Sequence, residues 1–214
     1  MKKKFYIEFI GMPASGKSFY KNQISKILRK KEIITNDYKD LSRMNKLMFF
    51  FIFIIKYFKL SIINLSFFYN NYSNKKELSK HFYYFKNEAA LRIYHEIKNQ
   101  NVINSEGFRH RSIYFIYENL KKNKKFQYKK YLQLLPKIDL LIYVRSNKKK
   151  NIQRSKKRKN AFKYNIKEIK NYEYKEKILE SIVEETKKKI YTIDLKQNRT
   201  TENLNRLKKI IKKI

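Results

Sequence analysis

Residues 11–18 read GMPASGKS and directly follow the apolar run Phe5 to Ile10. This stretch fits G-x-x-x-x-G-K-[ST] at every fixed position. The two glycines let the backbone turn so that successive N–H groups point inward, and a helix that begins near Lys17 adds its positive end. The pattern predicts a cradle for a polyphosphate between a buried strand and a helix. The alternative is a glycine turn that holds no ligand.

Such a loop predicts that the chain binds ATP and Mg²⁺. We expect Lys17 to reach the β- and γ-phosphates and the Ser18 hydroxyl to bind the metal. The predicted nucleotide-contacting residues are Gly11, Met12, Pro13, Ala14, Ser15, Gly16, Lys17, Ser18 and Phe19.

Short runs of strand character alternate with longer segments of helical periodicity. The strand-like runs are Phe5 to Ile10, Ile33 to Thr35, Val102 to Asn104, Ile138 to Val144 and Ile190 to Ile193. The helical segments are Phe19 to Lys31, Glu77 to Ile97 and Glu202 to Ile214. Because this alternation favours parallel pairing through right-handed crossovers, it predicts a three-layer α/β/α sandwich with a five-stranded, mostly parallel sheet. We expect one domain over residues 1–214.

The charge balance is strongly basic, with 53 Lys and Arg against 18 Asp and Glu and a net charge of +35. Only ten of the basic residues are Arg, and Lys is spread over the whole chain, as A+T-rich codons would produce. A nucleic-acid site would instead cluster Arg and aromatic residues on one element. We therefore expect a solvated basic surface and no specific nucleic-acid partner.

Two further features bear on the cellular context. The chain has no cysteine, which excludes disulfides and thiolate metal sites. The N-terminus is basic, but the apolar run behind it is short and contains Glu8, so it resembles a first strand more than a signal peptide. We expect a cytoplasmic protein.

The segment Val102 to Arg111, VINSEGFRHR, helps to indicate which class of P-loop protein this chain resembles. An apolar strand ends here in a carboxylate, Glu106, with Arg109 and Arg111 close behind. No D-x-x-G sequence typical of GTPases occurs in the chain. Size, layout and this element resemble the P-loop nucleoside and nucleotide kinases, the group of thymidylate kinase and the deoxynucleoside kinases. In those kinases the acid at this position is followed immediately by arginine. In this chain Gly107 and Phe108 separate the acid from the first arginine.

The segment Pro136 to Arg158 is similar to the strand, loop and lid helix of the same kinases. Arg154 and Arg158 match the R-x-x-x-R of the lid, which we place at about residues 145–160. Four residues apart, they would project from one helical face and clamp phosphate oxygens. Arg145 and Lys157 add charge nearby. The alternative is an ordinary exposed basic helix.

The resemblance also implies roles for carboxylates. Glu106 is expected to hold Mg²⁺ through water, together with Ser18. Asp37, the first acid after the second strand, is expected to serve the acceptor as base or ligand, and Asp40 is the alternative. Either aspartate would equally serve as a helix cap or turn residue. Arg43 is a candidate for pairing with an anionic acceptor.

The histidines carry less information. His110 lies between two arginines and is interpreted as a surface residue, while His81 and His95 are too far apart along one helix to suggest a metal site.

The stretch from Leu47 to Phe68 is apolar enough to be weighed as a membrane span. Lys56 and Lys59 fall near its middle, where each would cost about 3 kcal/mol at a bilayer centre. A span would also separate two strands of one sheet. We therefore predict helices of an acceptor-binding region at about residues 37–100, packed against the helix that contains Phe82 to Ile97. Weak contact with a membrane surface stays open.

The resemblance implies an ATP- and Mg²⁺-dependent kinase whose acceptor is a nucleoside or nucleoside monophosphate. A sugar or another small metabolite is an alternative acceptor. A non-catalytic nucleotide-binding module, associated with membrane or nucleic acid, is the alternative from another class. The sequence leaves the oligomeric state open.

Overall fold

The computed structural model describes residues 5–27, 33–35, 41–70, 75–123, 125–157, 165–195 and 199–211. Strands and helices alternate along these ranges. The strands are β1 (Tyr6–Ile10), β2 (Ile33–Thr35), β3 (Asn101–Asn104), β4 (Leu140–Val144) and β5 (Tyr191–Leu195). The helices are α1 (Lys17–Ile27), α2 (Arg43–Lys56), α3 (Phe58–Asn70), α4 (Lys75–Ile97), α5 (Phe108–Lys122), α6 (Tyr128–Leu134), α7 (Lys148–Lys156), α8 (Ile166–Lys170), α9 (Tyr172–Lys187) and α10 (Thr200–Ile211).

The five strands form one sheet in the order β2-β3-β1-β4-β5, and every neighbouring pair is parallel. Within it, Glu8 of β1 lies opposite Asn104 of β3 and Leu141 of β4. Since the strands all point the same way, their carboxyl ends and the loops that follow them meet at one edge. The predicted fold class is confirmed.

Side chains of β1 alternate between two cores, one on each face of the sheet. Phe5, Ile7 and Phe9 pack on one face against α1 and α10. Tyr6 and Ile10 pack on the other face, in a larger core that α2 to α6 and α9 complete. The sheet is therefore the middle of three layers, as the sequence predicts.

Two strand boundaries differ from the prediction by two residues, each because a polar side chain takes part in the sheet. β4 begins at Leu140 because Asp139 first binds β1 through its carboxylate, which accepts from the Tyr6 N–H at 2.8 Å. β5 continues to Leu195 because Asp194 is paired with Arg145 at 2.8 Å while Leu195 is buried.

The apolar stretch forms α2 and α3, which are bent by 112° at Tyr57. On α2, Phe49, Phe50 and Phe53 are buried, and Phe50 and Phe53 meet Phe85 of α4 edge to face at 6.0 Å. The predicted packing of this region against the long helix is confirmed. Among the described residues no single helix is long and apolar enough to cross a membrane, and the bent pair α2–α3 meets that criterion by length and composition only.

Candidate active site

The phosphate loop, residues 11–18, leaves the carboxyl end of the central strand β1 and enters α1 at Lys17. A Cβ added to Gly11 would lie 2.7 Å from the Val144 carbonyl oxygen and 2.9 Å from Ser15 Oγ, so only glycine fits there. Ala14 and Gly16 both have positive φ, 62° and 104°, which turns the backbone back on itself. Ser15 Oγ is buried and has no hydrogen-bond partner among the described residues. A tight cradle with an unsatisfied inward hydroxyl fits a phosphate group.

Lys17 is almost completely buried, at 7% exposure. Its ammonium group donates to the carbonyl oxygens of Gly11 at 2.8 Å and Met12 at 3.1 Å. Ser18 and Phe19 are exposed on the first turn of α1. The lysine is thus held over the loop, where a bound polyphosphate would compete with these carbonyls for it.

Glu8 is a functional-site residue that the sequence did not single out. Although it lies in the middle of β1, it is only 1% exposed. Its Oε1 accepts from the backbone N–H groups of Arg109 at 2.7 Å and His110 at 3.1 Å, which satisfies two free donors in the first turn of α5. Burial raises the pKa of this carboxyl, although Arg109 and the two N–H groups pull it downward. Glu8 therefore fixes the start of α5 beside the phosphate loop.

Arg109, one of the two arginines matched after Glu106, has a structural position in the fold. Its side chain is 5% exposed and lies 3.3 Å from the Glu8 carboxylate, and it also donates to the Pro136 carbonyl oxygen at 3.1 Å. The guanidinium therefore links β1, α5 and the segment before β4. Of the two arginines matched at this element, Arg111 is the one at the site.

Glu106 follows β3 at the carboxyl edge of the sheet. The pairing of β3 with β1 ends at Asn104 opposite Glu8, two residues before Glu106. Its carboxylate is half-exposed and pairs with Arg111 at 3.0 Å, and its N–H donates to Asn104 Oδ1 at 2.9 Å. The Arg111 guanidinium also lies 4.0 Å above the Tyr84 ring. The Glu106 carboxylate thus lies after the carboxyl end of β3 and is paired with one arginine, and its expected role as a metal ligand stays a prediction.

His110 is half-buried, in contrast to the surface position interpreted from the sequence. Its Nδ1 is buried without a hydrogen-bond partner among the described residues. Burial, followed by the positive charges of Lys17 and Arg111, holds its pKa well below 6.5. This neutral imidazole therefore lies between the phosphate loop and Arg111.

An aromatic pocket, which we call the acceptor pocket, opens beside Arg111. In this structure its cavity volume is only about 30 Å³, so a ligand larger than a water molecule requires the surrounding helices to move apart. Its lining residues come from four helices and are Asn64, Phe67, Phe68, His81, Phe85, Glu88, Phe108, Arg111, Tyr114, Phe115 and Tyr131. The rings of His81 and Tyr114 stack with centroids 3.5 Å apart and 9° between their planes. Flat rings with a few polar groups suit a planar ligand with hydrogen-bonding edges.

Glu88, at the inner wall of this pocket, is completely buried. It accepts from Tyr6 Oη at 3.2 Å and from Asn104 Nδ2, and Asn104 Nδ2 also donates to Tyr6 Oη at 3.1 Å. Burial, followed by the charge of Glu88, raises the pKa of Tyr6 well above 10, so its hydroxyl stays a donor. The network ties the pocket to β1 and β3.

The lid region is only partly described. Arg154 lies exposed near the end of α7, which Asn151 anchors to Tyr172 of α9 at 2.8 Å. Arg145 is committed to Asp194 at 2.8 Å and Glu180 at 3.4 Å, which neutralises part of its charge. Arg158, which is predicted to belong to the lid, lies outside the described residues, as do both candidate acceptor carboxylates, Asp37 and Asp40. Arg43 is exposed at the first turn of α2.

In the described ranges no three His, Asp or Glu side chains converge on a possible metal site. The predicted donors for Mg²⁺, the Ser18 hydroxyl and, through water, Glu106, would form a small set, and their role stays a prediction. Such a set suits Mg²⁺, which usually takes few protein ligands beside phosphate oxygens and water.

Comparisons with known proteins agree with this architecture. The structure matches deoxyadenosine kinase from M. mycoides with bound dATP at a TM-score of 0.58, with 19% sequence identity over 96% of this chain and 98% of that chain. The same enzyme with bound dCTP matches at 0.55, and with dCMP and dCDP at 0.56, both at 18% identity over 98% of this chain and 100% of theirs. No family model matches the sequence, and no curated protein matches it. The chain therefore shares the fold of this deoxyadenosine kinase.

Proposed function

We propose that this protein is an ATP- and Mg²⁺-dependent kinase that phosphorylates a nucleoside. The observation that carries the proposal is the position of Arg111, which lines the acceptor pocket and also pairs with Glu106 at the carboxyl edge of the sheet. One pocket for phosphates and one for a flat acceptor thus adjoin a single cation. The fold match to deoxyadenosine kinase supports the same assignment.

The lining of the acceptor pocket favours a nucleoside over the other acceptors considered. A sugar would need many hydrogen-bonding groups, whereas seven of the eleven lining residues are Phe or Tyr. A nucleoside monophosphate would bring a second phosphate, but the one arginine in the lining is already paired with Glu106. A base would instead stack on the rings and use Asn64, His81 or Glu88 at its edges.

In this proposal the acceptor hydroxyl oxygen bonds to the γ-phosphorus while the bond from that phosphorus to the β-phosphate oxygen breaks. Mg²⁺, held by Ser18 and through water by Glu106, would neutralise phosphate charge when bound. Lys17 exchanges its loop carbonyls for phosphate oxygens. Asp37 takes the hydroxyl proton, and Arg154 and Arg158 stabilise the equatorial oxygens. We also propose that the protein is cytoplasmic and that residues 1–214 form a single domain.

The test is a product assay. Purified protein is incubated with labelled ATP, Mg²⁺ and, one at a time, deoxynucleosides, ribonucleosides, monophosphates and simple sugars, and the products are separated by chromatography. We expect a nucleoside monophosphate. Lys17→Ala should lower kcat/KM at least about a hundredfold, and the exposed Lys26 at the end of α1 gives the matched control Lys26→Ala.

Two results would overturn the proposal. One is product formation that Lys17→Ala leaves unchanged. The other is ATP binding without transfer to any acceptor, which would indicate a non-catalytic nucleotide-binding module.

A further inference from the structure

Helix α2 exposes a continuous apolar face. Its residues Phe51 and Ile55 are 62% and 78% exposed, and the other members of the face are also at least 37% exposed. At 100° per residue they all fall on one side of the helix. The outer face of α2 consists of Met44, Leu47, Met48, Phe51, Ile52 and Ile55.

The protein core does not account for this face. The opposite side of α2 already supplies Phe49, Phe50 and Phe53 to the core. A helix that is apolar on both sides is normally buried on both sides. A contiguous exposed apolar face of this kind marks a surface that meets another apolar phase.

The charges around the outer face are of one sign. From Leu41 to Asn70 the sequence contains Arg43, Lys46, Lys56 and Lys59 and no Asp or Glu. By helical position Arg43 and Lys56 lie on opposite borders of the apolar face. The nearest acid described, Glu96, pairs with Lys56 at 2.7 Å and with Arg92 at 2.7 Å, so it is outnumbered.

We propose that the outer face of α2 docks on the surface of an anionic lipid membrane. Apolar side chains would enter the acyl boundary while the bordering bases contact acidic headgroups. A second copy of the chain fits less well, because each copy would bring the same basic border and a net charge of +35 to the contact. The helix lies flat in this arrangement, since its inner face stays packed against α4.

The experiment is co-flotation with lipid vesicles at low salt. Wild-type protein should float with vesicles of phosphatidylserine and phosphatidylcholine in equal parts, and should stay behind with phosphatidylcholine alone. The double variant Phe51→Glu/Ile55→Glu should bind at least about tenfold more weakly, because two apolar anchors are lost.

A matched control separates the apolar face from bulk charge. Ile97 and Ile166 lie on other helices and are 59% and 75% exposed, close to the values for Phe51 and Ile55. Ile97→Glu/Ile166→Glu therefore removes the same kind of surface and adds the same charge, and its binding should change less than about twofold. Urea unfolding midpoints of both variants establish that they are folded.

Three results would overturn the proposal. They are no flotation of the wild type at low salt, an equal loss in both double variants, and equal flotation with neutral vesicles. Light scattering tests whether a second copy of the chain covers the face instead. If the wild type is a dimer that does not float, and Phe51→Glu/Ile55→Glu is a monomer, the face belongs to a dimer contact.

Discussion

The phosphate loop and the acceptor pocket are built in different ways. The loop is eight consecutive residues whose backbone would form the phosphate contacts, and its geometry depends on the absence of a Cβ at Gly11. The pocket is assembled from side chains between Asn64 and Tyr131 on four helices. A single substitution in the loop should therefore abolish most of the ATP affinity. A single substitution in the pocket should change the KM for the acceptor, and the preference among acceptors, by a smaller factor.

The largest effect is expected where the two regions share a support. Glu8→Ala would leave Arg109 buried without its carboxylate and leave two N–H groups of α5 unsatisfied. Breaking a buried ion pair costs about 3–5 kcal/mol, so the free energy of unfolding in urea should fall by that amount. Glu8→Met/Arg109→Met should recover part of the loss, because it removes both charges. A loss below about 1 kcal/mol would mean that the two regions are supported separately.

Gly11→Ala tests the backbone character of the loop. The added methyl group meets the Val144 carbonyl oxygen and Ser15 Oγ. Overpacking of this kind costs about 1–3 kcal/mol, which corresponds to roughly fivefold to 150-fold in ATP affinity measured by calorimetry. Ala14→Gly is the control, since it relieves a positive φ of 62° and should retain affinity. Equal affinity of Gly11→Ala and wild type would contradict a backbone-shaped cradle.

Tyr114→Ala tests the side-chain character of the pocket. Tyr114 lines it and stacks on His81, so we expect the KM for the nucleoside to rise about threefold to tenfold while the KM for ATP is unchanged. Tyr83→Ala, at an exposed position of α4, should change neither constant. A rise in the KM for ATP alone would show that Tyr114 contributes to the nucleotide site and not to the acceptor pocket.

The smallest effect concerns His110, which lies between the two regions. Its pKa is lowered in the folded protein, so below pH 6.5 the unfolded chain binds a proton that the folded chain does not. Stability should therefore fall as the pH drops from 7 towards 5. His110→Asn should reduce this slope in urea titrations, although His95, whose pKa burial also lowers, keeps part of it. Identical slopes would show that His110 ionises equally in both states.

The sequence predicts the sheet and the loop well because both depend on local patterns. All five predicted strands occur, within two residues at each end, since each is a short apolar run between breaks. The loop is recognisable because its fixed positions all lie within eight consecutive residues. Glu106 also lies at the predicted edge of the sheet, because it comes two residues after the end of a strand.

Long-range contacts explain what the sequence could not predict. Glu8 interrupts an apolar strand, and its partner Arg109 lies 101 residues further on. The acceptor pocket depends on which faces of α3 to α6 meet, and a chain with 34 Phe and Tyr residues gives no local sign of which ones do. The roles of Asp37 and Arg158, outside the described residues, stay predictions.

The contact between positions 8 and 107 constrains how this protein can change over evolutionary time. A Cβ on residue 107 would lie 2.7 Å from Glu8 Cδ, and the Glu8 carboxylate is held in place by its bonds to α5. A larger residue at 107 is therefore tolerated only after position 8 has become smaller, and a smaller residue at 8 strands Arg109. Divergent copies of the gene should exchange these positions together or not at all.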